Sequence, residues 1–434
     1  MSWHNVLVTE MSYRVEQVFT PTSQAVLNFV PRAGLDAAVK DALSTPGKQI
    51  VVYGESGSGK TTLLRQCVKS YHAGWITTSC HAETTFSDLL LDAFDQLDLY
   101  YAESHGSATK QAFGTTLEAQ FLQAKSAVQA SLEESATTGH KRIVVPQISP
   151  QRLAKWMGEK DLCWIIEDFH KVREVEKKAL AQAFKIFSDM AMDYPAVRIV
   201  AIGATDSARE VVAYENEMRN RVAEIHVPLM DIGELRGILR GGDSLLNIDS
   251  SQISHDIVNF SSGLASVTHH LALNACRAAK IRSTQAIKKR LLEAELQSAV
   301  LTYIAESSDT LKARYELALK RERERKYHNT ELIIRALARG PQEGLSHAQV
   351  LADIRRENPE YPSSNVTLYL QKLQSEDRGA LIRRTSAGLF RFIDPLFHSY
   401  ARARMNPELA APGSGWSAAF SAVIREAVAM IAIR

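Results

Sequence analysis

The sequence is poor in cysteine and has no long apolar run. Its four cysteines are Cys67, Cys80, Cys163 and Cys276. No two of them have CxxC spacing, and single cysteines scattered through apolar segments are typical of reduced thiols in the cytoplasm. The apolar stretch from Trp416 to Ile433 contains Arg425 and Glu426, so it falls short of a membrane span. These absences argue against a disulfide scaffold, a CxxC metal site and a membrane protein.

The sequence also lacks an excess of either charge. It has 51 Lys and Arg against 49 Asp and Glu, so any basic surface has to be local. Residues Met1 to Glu10 alternate polar and apolar side chains, which is unlike a secretory signal. The hydrophobic fraction of 45% is typical of a globular protein. A chain of 434 residues is too long for one ordinary hydrophobic core. We expect two or three domains in a cytoplasmic protein.

What the sequence does contain is an alternation of short apolar strands and amphipathic helices. The run QIVVY at Gln49–Tyr53 precedes a turn rich in glycine and serine, and residues 61–70 then have helical spacing. Further strands are predicted at Trp75–Ser79, Leu162–Glu167 and Val197–Gly203. Repeated βα units of this kind build a parallel sheet covered by helices on both faces. The predicted fold class is therefore α/β with a three-layer core.

The strongest motif is GESGSGKT at residues 54–61, which matches GxxxxGK[ST] between a strand and a helix. Glycines let backbone N–H groups turn toward phosphate, Lys60 neutralises the β and γ charges, and Thr61 can hold Mg²⁺. The alternative is a glycine-rich turn that binds nothing. The motif predicts ATP and Mg²⁺ as cofactors. The predicted nucleotide-binding residues are Gly54, Glu55, Ser56, Gly57, Ser58, Gly59, Lys60, Thr61 and Thr62.

A second motif is the apolar strand LCWII, which ends in Glu167 and Asp168. A carboxylate at the end of a buried strand can reach Mg²⁺ beside a phosphate-binding loop, and its neighbour can orient the attacking water. We predict both as catalytic and, with Thr61, as metal-binding residues, without deciding which carboxylate has which role. The alternative is a surface acidic pair that caps the next helix.

The rest of the chain is predicted to be mostly helical. Residues 230–281 have helical spacing, and from Asn329 the order is helix, helix, helix and hairpin, as in a winged helix. His269 and His270 lack a third ligand at metal spacing, so we interpret them as core or surface residues. The predicted divisions are 1–33, an N-terminal segment; 34–228, a P-loop core with a helical insertion at about 101–140; 229–308, a helical lid; 309–405, a connecting helix and winged-helix domain; and 406–434, an apolar helix.

These pieces together resemble AAA+ and STAND ATPases of the origin-recognition type, which combine a P-loop core, a helical lid and a C-terminal winged helix. The resemblance covers roughly residues 30–405 and is carried by VVYGESGSGKTTLL, WIIEDFH, RIVAIGAT, NRVAEIHVPLM, SSGLASVTHHLAL and LFRFIDPLFHSYAR. Two departures stand out. The acidic pair has the order Glu-Asp, and the lid stretch Gly263–Ser266 lacks the arginine of a sensor 2 motif. The resemblance with these departures implies altered nucleotide sensing or slow hydrolysis.

The resemblance also implies roles for three further residues. Thr205 follows the strand RIVAIG where a sensor 1 residue touches the γ-phosphate or its water. Its alternative is a polar residue that ends a strand and caps a helix. Arg219 and Arg221 stand where an arginine finger stabilises transition-state charge in a neighbouring subunit. A solvated surface explains these two arginines equally well.

Two functions remain open from the sequence. The first is a regulatory ATPase whose nucleotide state controls homo-oligomer assembly and a protein effector, in bacterial antiviral defence as the resemblance implies. The second is an ATPase that loads or remodels a complex on DNA through residues 363–391, where Lys372, Arg378, Arg383, Arg384 and Arg391 could contact phosphates. No other catalytic constellation occurs in the chain.

Overall fold

The computed structural model describes residues 12–97, 148–203, 216–320 and 326–394 apart from 386, with isolated positions from 397 to 422. The chain divides into a unit of residues 31–228 and a unit that joins residues 1–30 to residues 229–434. A first short helix, α1 (Val15–Val18), belongs to the second unit. The predicted insertion at 101–140 and the C-terminal apolar helix lie outside the described residues, apart from Ala422.

The unit of residues 31–228 is built on one parallel sheet. The strand order is β2-β3-β4-β1-β5, so β4 separates β1 from β3. The strands are β1 Gln49–Gly54, β2 Gly74–Ser79, β3 Leu162–Glu167, β4 Arg198–Gly203 and β5 Val222–Val227. The helices of this unit are α2 Ala33–Ser44, α3 Lys60–Val68, α4 Phe86–Asp95, α5 Pro150–Glu159 and α6 Glu174–Met190. The predicted α/β fold class is confirmed.

Trp164 in β3 shows how the sheet is fixed in place. Its side chain is fully buried, and its indole N–H donates to the hydroxyl of Thr78 in β2 at 3.0 Å. Phe187 of α6 lies against the indole ring, with the ring centroids 5.9 Å apart. An apolar strand buried on both faces keeps its final residue at a fixed position, and in β3 that residue is Glu167.

Arg198 begins β4, the central strand, at the opposite end of the sheet from Glu167. The guanidinium is buried and donates to the carbonyl oxygens of Leu43 at 3.0 Å and Thr45 at 2.7 Å. Both carbonyls lie at the C-terminal end of α2, where helix carbonyls lack partners within the helix. The side chain therefore joins the start of β4 to the end of α2.

The second unit is mainly helical, with two small sheets. Its helices after α1 are α7 Ile232–Leu246, α8 Ser254–Ser261, α9 Ala265–Ala278, α10 Glu293–Leu319, α11 Asn329–Arg339, α12 His347–Glu357 and α13 Ser363–Lys372. Its strands are β6 Ile248–Asp249, β7 Lys289–Arg290, β8 Ile382–Arg384 and β9 Phe390–Phe392. Strands β6 and β7 are parallel, whereas β8 and β9 form an antiparallel hairpin. The order after α10 is thus three helices and a hairpin.

Two structural features of this unit lie at the predicted divisions. The predicted division at 308 falls inside α10, a continuous helix of 27 residues. The N-terminal segment contacts the region predicted as the lid, because the N–H of Val15 donates to the carbonyl of Arg282, which follows α9, at 3.0 Å. Phe19 is buried against Gly242, where an added Cβ would lie 2.1 Å from the phenyl ring. Contacts over such a sequence distance leave no local pattern.

The buried histidine of the lid makes the stability of this unit depend on pH. His269 is 4% exposed, and its Nδ1 accepts the backbone N–H of Thr20 at 3.2 Å. Burial lowers the pKa of His269 from 6.5 to about 4. Between these values the unfolded chain binds more protons, so this contribution is complete above pH 6.5 and is lost as the pH falls toward 4.

We expect the native state to lose about 2 kcal/mol at pH 5 relative to neutral pH through this histidine alone. Thermal unfolding followed by circular dichroism at the two pH values measures the loss. His269→Asn keeps an acceptor for the N–H of Thr20 and does not titrate, so its melting temperature should fall less on acidification. An equal fall in both proteins would assign the pH dependence to other groups.

None of the described helices is long and apolar enough to cross a membrane. All four cysteines are free thiols in buried positions. Burial raises the pKa of Cys80 to about 12, so this thiol stays protonated near neutral pH.

Candidate nucleotide-binding site

The loop between β1 and α3 has the backbone geometry that its glycines permit. Gly54, Gly57 and Gly59 all have positive φ, at 150°, 77° and 89°. An added Cβ on Gly54 would lie 2.2 Å from the carbonyl oxygen of Val227 in β5, so the position tolerates no side chain. Gly59 is the N-cap of α3 in the left-handed conformation. The loop therefore presents its backbone at a helix N-terminus, the preferred environment of a phosphate group.

Lys60 is the first residue of α3 and folds back across the loop. Its ammonium donates to the carbonyl oxygens of Gly54 at 3.0 Å and Glu55 at 2.8 Å. The neighbouring Ser58 is fully buried, and its hydroxyl has no hydrogen-bond partner among the described residues. A cation held over a ring of backbone groups, beside an unsatisfied hydroxyl, fits a polyphosphate with Mg²⁺.

Glu167 is directed toward the helix that carries Lys60. The Nη2 of Arg65 in α3 donates to Oε1 of Glu167 at 3.4 Å, and both side chains are about a quarter exposed, at 24% and 28%. Arg65 is four residues after Thr61, so the two side chains lie on the same face of α3. The Glu167 carboxylate thus lies beside the face that carries the Thr61 hydroxyl. Arg65 was not singled out in the sequence, because no motif position demands it.

The carboxylate of Asp168 contacts Lys171 and not Arg65. Its backbone is left-handed, with φ of 58°, and its Oδ2 accepts the Lys171 ammonium at 2.7 Å. A short 3-10 helix, Phe169–Lys171, begins here without a side-chain cap from Asp168. Asp168 therefore does not cap that short helix with its side chain, and the two adjacent carboxylates have different surroundings.

His170, in the short 3-10 helix after the acidic pair, has charged neighbours that no sequence motif indicates. Burial lowers its pKa, while Asp168 opposes that effect and the charges of Lys171, Lys177 and Lys60 add to it. The charges of Asp168 and Lys60 therefore both act on the imidazole of His170. The signal available in the sequence is its place two residues after Asp168, immediately after the strand.

Arg219 and Arg221 lie near the amino end of β5, at the opposite end of the strands from the phosphate-binding loop. Arg219 is exposed in a short 3-10 helix, Asn216–Asn220, just before β5. Val222 at the start of β5 pairs with Gln49 at the start of β1, whereas the phosphate-binding loop follows the end of β1. Six strand residues span about 17 Å, so neither arginine is placed to contact a nucleotide on its own chain. Arg221 also forms an ion pair with Asp189 in α6.

The remaining predicted site positions are less informative. Thr205 lies outside the described residues, although β4, which it follows, ends between the ends of β1 and β3. In the predicted lid, Gly263 has φ of 84°, and its carbonyl accepts the N–H of Met230 at 3.0 Å.

No cluster of three His, Cys, Asp or Glu side chains able to hold a metal occurs in the part of the chain that the structure describes. A cation here would depend on Thr61, the acidic pair and the phosphates themselves.

The arginines of the C-terminal hairpin region are mostly not available as surface cations. Arg378 is 8% exposed and donates to the carbonyl of Lys320 at 2.7 Å, and Arg391 is 6% exposed. Arg383 is half-buried, which leaves Arg384 as the exposed arginine of this set. The phosphate-contacting surface predicted at 363–391 is therefore smaller than its count of arginines indicates.

Comparisons with known proteins agree with this geometry. The AAA ATPase domain family matches residues 28–191. No curated protein matches the chain. Among solved structures, a Walker-type ATPase of Pyrococcus abyssi is similar at 14% identity and a TM-score of 0.50, over 86% of this chain and 96% of that one. The ORC2 protein of Aeropyrum pernix is similar at 14% identity and a TM-score of 0.49, over 96% and 98% of the two chains. At such identity the likeness concerns the fold.

Proposed function

We propose that this chain binds Mg²⁺-ATP at the loop of residues 54–61 and hydrolyses it, and the match of residues 28–191 to the AAA ATPase domain family supports this proposal. The observation that carries the proposal is the common helix α3. Lys60 begins this helix, and Glu167 contacts it through Arg65 at 3.4 Å. Lys60 and the carboxylate of Glu167 thus both lie at α3, which supports phosphate binding by the first and metal binding by the second.

The different surroundings of the two carboxylates divide the chemistry between them. We assign Glu167 with Thr61 to Mg²⁺, because Arg65 holds its carboxylate beside the Thr61 face of α3. We assign Asp168 to the attacking water, since it is half exposed and its partner is the half-exposed ammonium of Lys171. Bound Mg²⁺ would neutralise the charge that develops on the β- and γ-phosphates. Lys60 adds a second positive charge from the helix N-terminus.

We further propose that ATP drives self-assembly and that the assembly controls a protein effector. Arg219 and Arg221 lie about 17 Å from the phosphate-binding loop of their own chain, so a role for them in hydrolysis requires a second copy. Nucleotide-dependent assembly is the behaviour that the STAND resemblance implies, and antiviral defence is the setting we propose on that ground.

Mass photometry of the purified chain with no nucleotide, ADP, ATP and a slowly hydrolysed analogue tests the assembly. We expect ATP and the analogue to produce a discrete larger species for the wild type. Arg219→Ala should bind ATP normally but release phosphate at least about tenfold more slowly. Arg173→Ala, an exposed arginine of the same unit, is the matched control.

A protein that stays monomeric while it hydrolyses ATP would contradict the assembly, and the ATPase assignment would stand. If Arg219→Ala still assembles and releases phosphate at the wild-type rate, Arg219 is a solvated surface residue and not an arginine finger.

The DNA-loading function remains a second candidate because α11, α12, α13 and the β8–β9 hairpin follow the order of a winged helix. Leu345 adds a bridge to Phe390 at the edge of this hairpin. Of the cations predicted to contact DNA within residues 363–391, those that remain are Lys372 and Arg384, with Arg383 half-buried. That set suits a few phosphate contacts and not base readout.

A further inference from the structure

The turn between α9 and α10 concentrates positive charge that the near-neutral composition conceals. Residues 277–292, here called the basic turn, contain six cations and no acid, although the whole chain has a net charge of only +2. All six are exposed: Arg277, Lys280, Arg282, Lys288, Lys289 and Arg290. Such a local excess is the electrostatic footprint of a polyanion-binding surface.

The backbone of the basic turn is held in place from two sides. On one side it bonds to the N-terminal segment, where the N–H of Thr284 donates to the carbonyl of Tyr13 at 2.9 Å. On the other it pairs with the end of α7 and with β6, through N–H donors of Gln285, Lys289 and Leu291 at 2.9, 3.2 and 2.9 Å. A fixed backbone limits the ordering cost of binding to that of the side chains.

Three of the six cations are already engaged within the unit. Arg290 pairs with Asp249 at 3.2 Å, and Arg277 pairs with Glu16 at 3.5 Å. Lys289 donates to the carbonyl of Ala279. These contacts hold the turn and reduce the charge that it offers.

The other three cations are Lys280, Arg282 and Lys288. Within the described residues their side chains have no hydrogen bond or ion pair, and the carboxylate within electrostatic range of Lys288 is that of the half-buried Asp243. The next acidic side chains, Glu293 and Glu295, begin α10, where Glu295 accepts the N–H of Leu292 at 2.8 Å. The three form the available part of the surface.

We propose that the basic turn binds the phosphate backbone of duplex DNA without reading its sequence. Lys288 is six positions after Arg282, so their Cα atoms lie at most about 20 Å apart, the length of roughly six base pairs. The turn contains no aromatic side chain, and stacking on aromatic rings is what a single-stranded partner requires. The contact goes beyond the proposed ATPase and moves the expected DNA surface from residues 363–391 to the lid.

Fluorescence anisotropy with a labelled 20-base-pair duplex of arbitrary sequence, titrated with the full chain at several salt concentrations, tests the contact. The variant Lys280→Gln, Arg282→Gln, Lys288→Gln should bind at least about tenfold more weakly at low salt. The slope of log affinity against log salt should become shallower by about 3, because each phosphate contact contributes about 0.9.

Two controls locate the effect. Lys40→Gln, Lys69→Gln, Lys155→Gln removes the same charge from exposed lysines of the other unit and should leave the affinity within about twofold. Lys372→Gln, Arg384→Gln tests the hairpin region instead.

Lys60→Ala should bind DNA like the wild type without nucleotide, so loss of ATP binding and loss of DNA binding are separable.

Wild-type affinity and slope in the basic-turn variant would overturn the proposal, as would a loss confined to the hairpin variant. Absence of duplex binding by the wild type at low salt would also overturn it. Anionic phosphatidylserine vesicles provide the last comparison, and retention on vesicles without binding to the duplex would reassign the turn to a lipid surface.

Discussion

Lys60→Ala binds ATP roughly 10- to 100-fold more weakly than the wild type and releases no phosphate above background. The ammonium begins α3 and sits over the loop carbonyls of Gly54 and Glu55. A charge-assisted hydrogen bond to phosphate contributes about 1.5–3 kcal/mol, and each 1.4 kcal/mol is a tenfold change in affinity. Equilibrium titration with a fluorescent ATP analogue measures the binding.

Lys69→Ala provides the control, because Lys69 is the exposed C-cap of the same helix. It should bind nucleotide like the wild type, and both variants should retain the circular dichroism spectrum of the folded chain. Wild-type affinity in a folded Lys60→Ala would mean that the loop of residues 54–61 is not the phosphate site.

Asp168→Asn lowers the rate of phosphate release by roughly 100-fold or more and leaves ATP affinity unchanged. The amide cannot take a proton from water, and loss of a general base costs about 10²- to 10⁴-fold in rate. Glu167→Gln acts differently, because the carboxylate beside the Thr61 face of α3 is the one assigned to Mg²⁺. Its rate should recover in part at high Mg²⁺, whereas that of Asp168→Asn should not.

Phosphate release against Mg²⁺ concentration for the two variants separates these roles. Glu174→Gln, an exposed carboxylate at the start of α6, is the matched control and should behave as the wild type. Recovery of Asp168→Asn by Mg²⁺, with none for Glu167→Gln, would exchange the two assignments. Unchanged rates in both would return the pair to a surface role.

The sheet and the glycine-rich turn after β1 could be predicted from the sequence because their signals are local. A buried strand such as β3 is a run of apolar residues, and the loop after β1 needs glycine at positions where φ is positive. The acidic pair follows from the same rule, since a strand places the residue that ends it. What the sequence left open was the direction of each carboxylate, which depends on Arg65 and Lys171.

Other features depend on contacts between distant parts of the chain. The burial of Phe19 against Gly242 joins the N-terminal segment to the lid, and no pattern within either stretch shows it. The arginines of the hairpin region illustrate the same limit. From the sequence, Arg378 is expected to be a surface cation. In the structure its guanidinium donates to the carbonyl of Lys320.

The basic turn shows the reverse case. The six cations of residues 277–292 are plain in the sequence, but a charge run alone is most often a solvated surface. What distinguishes this run is the hydrogen bonding that fixes it between residues 13–15 and 246–249. That information comes from the fold.

Phosphate release by the purified full chain, measured with ATP in the presence and absence of Mg²⁺, tests the central claim most directly. The account predicts turnover that requires Mg²⁺, saturates with ATP and disappears in Lys60→Ala. A folded wild type that binds ATP but releases no phosphate with Mg²⁺, alone or with duplex DNA, would contradict hydrolysis by this site.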